Sequence, residues 1–187
     1  MLEEEYRLPD LAAIDGRPAP ADVRLAWNDD GLAFSVSITG KKRSLQCSAQ
    51  HPEESEGVQL LIDTRDVHTV HRATRFCHRF AFLPSGGGGN KLEAVAAWLP
   101  IHRAREHPRA IPPGSVRVTS RVTRGGWELA GHIGVAALTG FDATQYPRLG
   151  FNYVVLDREL GVQTFAVGPP MPAHEDPSLW TSVELVE

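Results

Sequence analysis

Between Asp63 and His78 the chain gathers oxygen, nitrogen and sulfur donors within sixteen residues: Asp63, Asp66, His68, His71, Cys77 and His78. Donors of these types suit a divalent cation, and Asp63, Asp66, His68 and His71 are the candidate metal ligands. Zinc is held by a tetrahedron of thiolate, imidazole or carboxylate ligands, commonly from two paired motifs. His68 and His71 form one such pair, but a second pair at matching spacing is missing, and a solvated His-rich loop is the plain alternative. Calcium takes hard oxygen ligands, so the Asp63-Thr64-Arg65-Asp66 turn makes calcium the conceivable cofactor, although one turn supplies too few oxygens by itself. Haem would need an apolar pocket with axial His or Met, and Met171 lies in a proline run. Cys77 beside His78 has the residue types of a thiol nucleophile and its base. Neighbours on a strand point to opposite faces, however, so these two cannot act on one another.

Strands must position this stretch. Val58 to Ile62 is a short apolar run of the kind buried within a sheet, and Phe76 to Leu83 is a second strand. In it Phe76, His78, Phe80 and Phe82 share one parity, and Arg75, Cys77, Arg79 and Ala81 the other. Upstream, Val23 to Trp27 and Leu32 to Ile38 alternate around Asn28-Asp29-Asp30-Gly31, residues that tolerate the backbone of a tight turn. Gly40 to Glu56 is a long polar connection holding Cys47 and His51. The run Ser85-Gly86-Gly87-Gly88-Gly89-Asn90 reads as a hairpin tip, since the Lys and Ser/Thr offsets of a phosphate loop are absent. Leu92 to Trp98 is ambiguous between helical turn and strand, and its neighbours favour strand. Residues 99–114 are a Pro-rich loop. Val116 to Val122 and Trp127 to Ile133 form a second hairpin across Gly125-Gly126, and Val135 to Leu138 suits one helical turn. Strands at Phe151 to Leu156, Val162 to Val167 and Val183 to Val186 complete the chain. About nine short strands with almost no helix imply an antiparallel all-β sandwich, jelly-roll-like and of one domain over 23–187, with 1–22 an extension packed on it.

The composition agrees: 187 residues, 42% hydrophobic and 22% charged, form an ordinary globular chain. A net charge of −4 gives no reason to expect a nucleic-acid partner. No stretch has the length of a membrane-spanning helix, and the acidic opening MLEEEYRLPD is not a secretory signal, which tilts the expectation toward a cytoplasmic chain. Cys47 and Cys77 are too few for a disulfide framework, and their pairing stays open.

The hairpin LAWNDDGLAFSVSI (25–38) resembles the opening of family 9 carbohydrate-binding modules and their DOMON-like relatives. SEGVQLLIDTRD (55–66) is similar to the strand that follows in them. GGWELAGHIGVAAL (125–138), LGFNYVVLD (149–157) and LWTSVELVE (179–187) match later segments in the same order. Two departures stand out: His132-Ile133-Gly134-Val135 lacks the Pro and Trp usual there, and HTVHRATRFCHRF replaces a plainer loop. The resemblance implies a noncatalytic binding module whose partner is a saccharide, with members that clamp a sugar ring between exposed tryptophans. It also implies that cations are often held near the strands, and that some DOMON relatives bind haem instead. A flat aromatic face suits the C–H side of a pyranose, and planar polar groups bond its paired hydroxyls. Trp98, beside the Pro-rich loop, is the expected platform, and Trp180 an intermediate candidate. Trp27 and Trp127 lie in alternating hairpins and are expected in the core. Arg75, His78 and Asn152 match positions on the strands lining the family's ligand face and are the expected polar partners. A ligand-free interaction domain of the same fold is the alternative, as is a metal- or haem-binding domain using residues 68–78.

Overall fold

The computed structural model describes residues 1–10, 16, 19–165 and 167–186. Its strands are, in chain order, β1 (Ala21–Asn28), β2 (Gly31–Thr39), β3 (Gly57–Asp63), β4 (Cys77–Gly87), β5 (Glu93–Trp98), β6 (Val116–Thr123), β7 (Gly126–Gly134), β8 (Arg148–Asp157), β9 (Gly161–Thr164) and β10 (Thr181–Glu184). Among the described residues the helices are short 3-10 turns, one of them at Val135–Ala137 where a helical turn is expected. Two antiparallel sheets face each other: β1-β2-β7-β6, and β10-β8-β3-β4-β5 with β9 pairing on β8 beyond β10. This is the expected all-β sandwich.

Period-2 alternation builds the core. Leu32, Phe34, Val36 and Ile38 of β2 are buried, as are Val58, Leu60 and Ile62 of β3, Phe80 and Phe82 of β4, and Phe151, Tyr153 and Val155 of β8. Phe34 and Phe82 meet across the sheets with ring centroids 4.4 Å apart. Trp127 is buried in this core and Trp27 packs partly buried against it. Gly31, at φ +135°, begins β2 where a Cβ would run into the Ile133 carbonyl, so the turn requires glycine.

Several boundaries differ from the sequence reading. β4 runs on through the glycines to Gly87, because the expected tip still pairs with Glu93 across a register shift. β9 stops at Thr164, ahead of the proline-rich crossing, and residue 166 lies outside the described residues. The closing strand is Thr181–Glu184 and not Val183 to Val186, since its partner β8 begins at Arg148, opposite Glu184. Of the 1–22 segment, residues 11–15, 17 and 18 lie outside the described residues. Its start is tied to the sheet: Leu2 N–H donates to Ser35 Oγ at 3.1 Å, and Leu8 N–H donates to the Val23 carbonyl at 2.9 Å.

One buried ionic group was not legible in the sequence. Lys41 Nζ lies 2.8 Å from Glu56 Oε1 and 2.6 Å from Asp157 Oδ2, all three side chains being buried. The carboxylates are further satisfied by backbone: Arg158 N–H and Gln46 N–H donate to Glu56, Glu159 N–H and Leu160 N–H to Asp157. Burial alone would lower the Lys41 pKa, but its hydrogen bonds to Asp157 and Glu56 outweigh that and raise it. For Asp157, likewise, burial acts upward and is outweighed by Lys41 and the turn amides, so its pKa falls. Removing one partner leaves buried charge uncompensated, so Lys41→Met is expected to cost about 3–5 kcal/mol, read from urea unfolding. Exposed Lys42→Met is expected to stay within about 0.5 kcal/mol. A loss at Lys41 no larger than at Lys42 would refute the structural role.

Candidate ligand-binding cavity

The β3–β4 connection is a closed loop, because Thr64 N–H donates to the Phe76 carbonyl across its neck at 3.1 Å. Asp63, the last residue of β3, shapes the loop's first turn. Its Oδ1 accepts from Arg65 N–H at 3.0 Å and its Oδ2 from Val67 N–H at 2.9 Å. That turn aims Arg65 across to the 139–146 segment. The Arg65 guanidinium carbon sits 4.4 Å from the Phe76 ring centroid and 3.8 Å from that of Tyr146. Its Nη1 donates to the carbonyls of Thr64 and Gly140. Gly140 has φ +81°, and a Cβ there would press on both Arg65 and the Phe76 ring at 2.8 Å, so only glycine fits beside the stack. Cation–π contacts on two faces fix the arginine and orient both rings before any ligand arrives.

Beside this stack lies a cavity of about 420 Å³, bounded by Phe76, Tyr146 and Val70 on apolar sides and by Arg65, Arg75 and Glu106 on polar ones. That volume falls within the range of about 300–1,000 Å³ usual for small-molecule sites. Arg75 extends over Phe76, 5.0 Å from its centroid, and its Nε is 3.9 Å from Glu106 Oε2. Both side chains are well exposed, so this pair holds them loosely and leaves both heads available. Burial pushes the Asp63 carboxyl up, offset in part by the Val67 and Arg65 amides. Cys77, at the cavity floor, is pushed up to about 12 by burial and by Asp63, so its thiol stays protonated and unreactive. An apolar wall with convergent polar groups can take a ring-shaped, hydroxylated ligand.

No family model matches the chain. No curated protein matches it either. Solved structures do. A family 9 carbohydrate-binding module from Caldicellulosiruptor kristjanssonii, solved with cellotriose, superposes with a TM-score of 0.59 at 12% identity over 89% of this chain and 75% of that one. The same organism's module solved with glucose gives a TM-score of 0.60 at 14% identity, over 89% and 76%. A Bacteroides uniformis protein gives 0.57 at 12%, over 96% and 84%. The fold is that of the family 9 carbohydrate-binding modules.

Within this family 9 fold the residues singled out from sequence separate. The metal set is not brought together: among the described residues no group of three or more His, Cys, Asp or Glu side chains could hold an ion. Asp63 is engaged by its own turn. Asp66 and His68 bond each other and Ser182, with Asp66 Oδ1 2.9 Å from His68 Nε2. His71 instead faces Asp176 and Ser178, at 3.1 and 3.0 Å from Nδ1. The four donors expected to form a metal site, Asp63, Asp66, His68 and His71, serve three separate local networks. Cys47 and Cys77 are both free thiols.

The residues expected on the ligand face are also separated. Trp180 is only 1% exposed, and its Nε1 donates to the Ala173 carbonyl at 2.6 Å. With Ala73 and Ile101 it forms a lid that closes over Leu61 and Cys77 on the outer face of the six-stranded sheet. Asn152, opposite Leu61 in the β3–β8 pairing, is buried on β8. His78 has the parity of Phe80 and Phe82 and points into the core, not toward the ligand side. Loops have filled the face that strand alternation offered. Arg75 does line the cavity. Trp98, 39% exposed, pairs opposite Phe80 on the edge strand and lines a separate cleft of about 280 Å³ with Pro112 and Pro113. Arg65, Phe76, Glu106 and Tyr146, which border the cavity, were not among the residues singled out from sequence. The available signal was an aromatic, Tyr146, in a loop without alternation, where core packing does not account for it.

His78 carries a testable consequence. Neither ring nitrogen has a hydrogen-bond partner of full geometry, and the ring lies 6.0 Å from that of Phe80 and parallel to it. Burial lowers its pKa from 6.5 to about 4, with the Thr139 backbone acting weakly the other way. Above pH 6.5 both states are neutral and stability is unaffected; between 6.5 and 4 the unfolded chain takes up the proton first. Stability should therefore fall by about 3 kcal/mol across that window. His78→Leu should be at least as stable at neutral pH, because an unpaired buried polar group is removed, and should lose this part of the acid sensitivity. Parallel pH profiles for the two proteins would contradict the assignment.

Proposed function

We propose that this protein is a noncatalytic saccharide-binding module, and that the ligand occupies the cavity beside Arg65, Phe76 and Tyr146. The observation that carries the reading is the aromatic–arginine–aromatic stack bordering a cavity of about 420 Å³. Neighbours of the same fold were solved with cellotriose and glucose, which supports a sugar as the ligand class.

The chemistry suits a pyranose. Phe76, Tyr146 and Val70 present C–H-compatible surface to a ring face. Arg75 donates in a planar fork that matches adjacent hydroxyls, and Glu106 accepts from others. Because Arg65 is already tied to Thr64 and Gly140, the rings need no ordering when the ligand arrives, which lowers the entropic cost of binding. Trp98 faces its own cleft and is the competing location for the sugar.

Calorimetry on cellobiose, xylobiose and galactose-containing disaccharides tests this. Tyr146→Ala should weaken the best ligand at least about tenfold, equal to about 1.4 kcal/mol. The same substitution should shift the thermal midpoint by only a few degrees. Trp98→Ala should change affinity by less than about threefold. The reverse pattern would move the site to the Trp98 cleft, and no binding by any sugar would defeat the proposal.

A further inference from the structure

We infer that the saccharide taken by this cavity is anionic, bearing carboxylate or sulfate groups along its length. The inference rests on the reading of the cavity as a saccharide site and names the ligand class within it. The chain as a whole is acidic, at −4. Residues 71–109 are the opposite: Arg72, Arg75, Arg79, Lys91, Arg103, Arg105 and Arg109 are seven basic residues against two acidic ones, Glu93 and Glu106.

The fold brings part of this charge onto two loops that border the cavity. The two loops, distant in sequence, are bound together: Arg72 Nε donates to the Arg103 carbonyl at 2.8 Å, and Arg105 N–H donates to the Ala73 carbonyl at 2.7 Å. The residues next along each loop, Thr74 and Arg75 on one and Glu106 on the other, line the cavity itself. Arg72, Arg75, Arg103 and Arg105 are all exposed.

The nearby carboxylates are mostly turned to other partners. Glu175 and Asp176 are engaged by histidines, with His102 Nδ1 3.2 Å from Glu175 Oε1 and His71 Nδ1 3.1 Å from Asp176 Oδ2. Asp63 accepts from its own turn. Glu106 faces Arg75 at 3.9 Å between exposed heads, an interaction of little net strength that a ligand carboxylate can replace. Guanidinium groups pair carboxylate or sulfate oxygens two at a time. A neutral glycan would leave the remaining donors of these arginines without a charged partner. A chain of charged sugars running out of the cavity across the joined loops would meet Arg75 first and then Arg105 and Arg103.

The test compares trisaccharides of three kinds by calorimetry: cellotriose, trigalacturonate, and a carrageenan-derived sulfated oligosaccharide of similar length. The expected result is that at least one anionic ligand binds about tenfold or more tighter than cellotriose near 50 mM salt, with the advantage shrinking by about 300 mM as screening sets in. The carboxylated and sulfated arms distinguish which anion is preferred. Arg105→Gln, whose side chain makes no contact needed by the loops, should remove most of the advantage while leaving cellotriose affinity unchanged. Circular dichroism and the thermal midpoint verify that the variant is folded. Equal or tighter binding of cellotriose, or anionic binding indifferent to salt and to Arg105→Gln, would overturn the inference and leave the saccharide reading standing. Failure of all three ligands would remove both.

Discussion

Lys41 is held between Glu56 and Asp157, and the consequences of that contact reach the other end of the sheet. Glu56 immediately precedes β3 and Asp157 ends β8, so their common ammonium partner pins the two strands where Gly57 pairs with Leu156. Strand pairing has a period of two, and a slip of one residue would exchange the core and outer faces. With the register held there, the far end of the same ladder places Asp63 opposite both Gly150 and Cys77. The loop that carries Arg65, Phe76 and Arg75 starts from that point. A buried charge cluster thus fixes, through seven paired residues of β3, where the cavity opens.

From Asp63 outward the organisation is electrostatic at each step. The carboxylate captures two amides, the turn so formed presents Arg65, and Arg65 joins the loop to the 139–146 segment by way of two rings and two carbonyls. Around Leu61 and Cys77 the outer face of the sheet is covered by Trp180, Ile101 and Ala73. The cavity lies instead at the rim of the sheet, where loops leave a gap and Arg65, Phe76 and Tyr146 border it. The basic loops on either side of Glu106 extend the same rim, so pocket shape and local charge favour the same kind of ligand.

Much of the scaffold was legible because strand patterns are local. The hairpin at Asn28-Asp29-Asp30-Gly31 and the alternation of Leu32, Phe34, Val36 and Ile38 are set by neighbours, and the structure buries those side chains as expected. Parity was also sufficient to send His78 inward with Phe80 and Phe82; the family pattern placed it on the ligand side instead, and parity prevailed. The site was less legible because its parts are joined only in space. Lys41 lies in the polar 40–56 connection, and its partners lie 15 and 116 residues away. Trp180, an intermediate candidate from sequence, is buried where its Nε1 donates to the Ala173 carbonyl. Asp63, Asp66, His68 and His71 sit close in sequence, yet a turn and two different loops draw them apart. Tyr146 gave the one usable hint, an aromatic without a strand to explain it.

The central claim is the location of the sugar, and amide chemical-shift mapping during titration with cellotriose or trigalacturonate tests it most directly. The account predicts saturable shifts confined to residues 64–76, 105–107 and 139–146, with the largest at Arg65, Phe76 and Tyr146. Shifts centred on Trp98 and residues 112–116, or a spectrum unchanged by either saccharide, would contradict it.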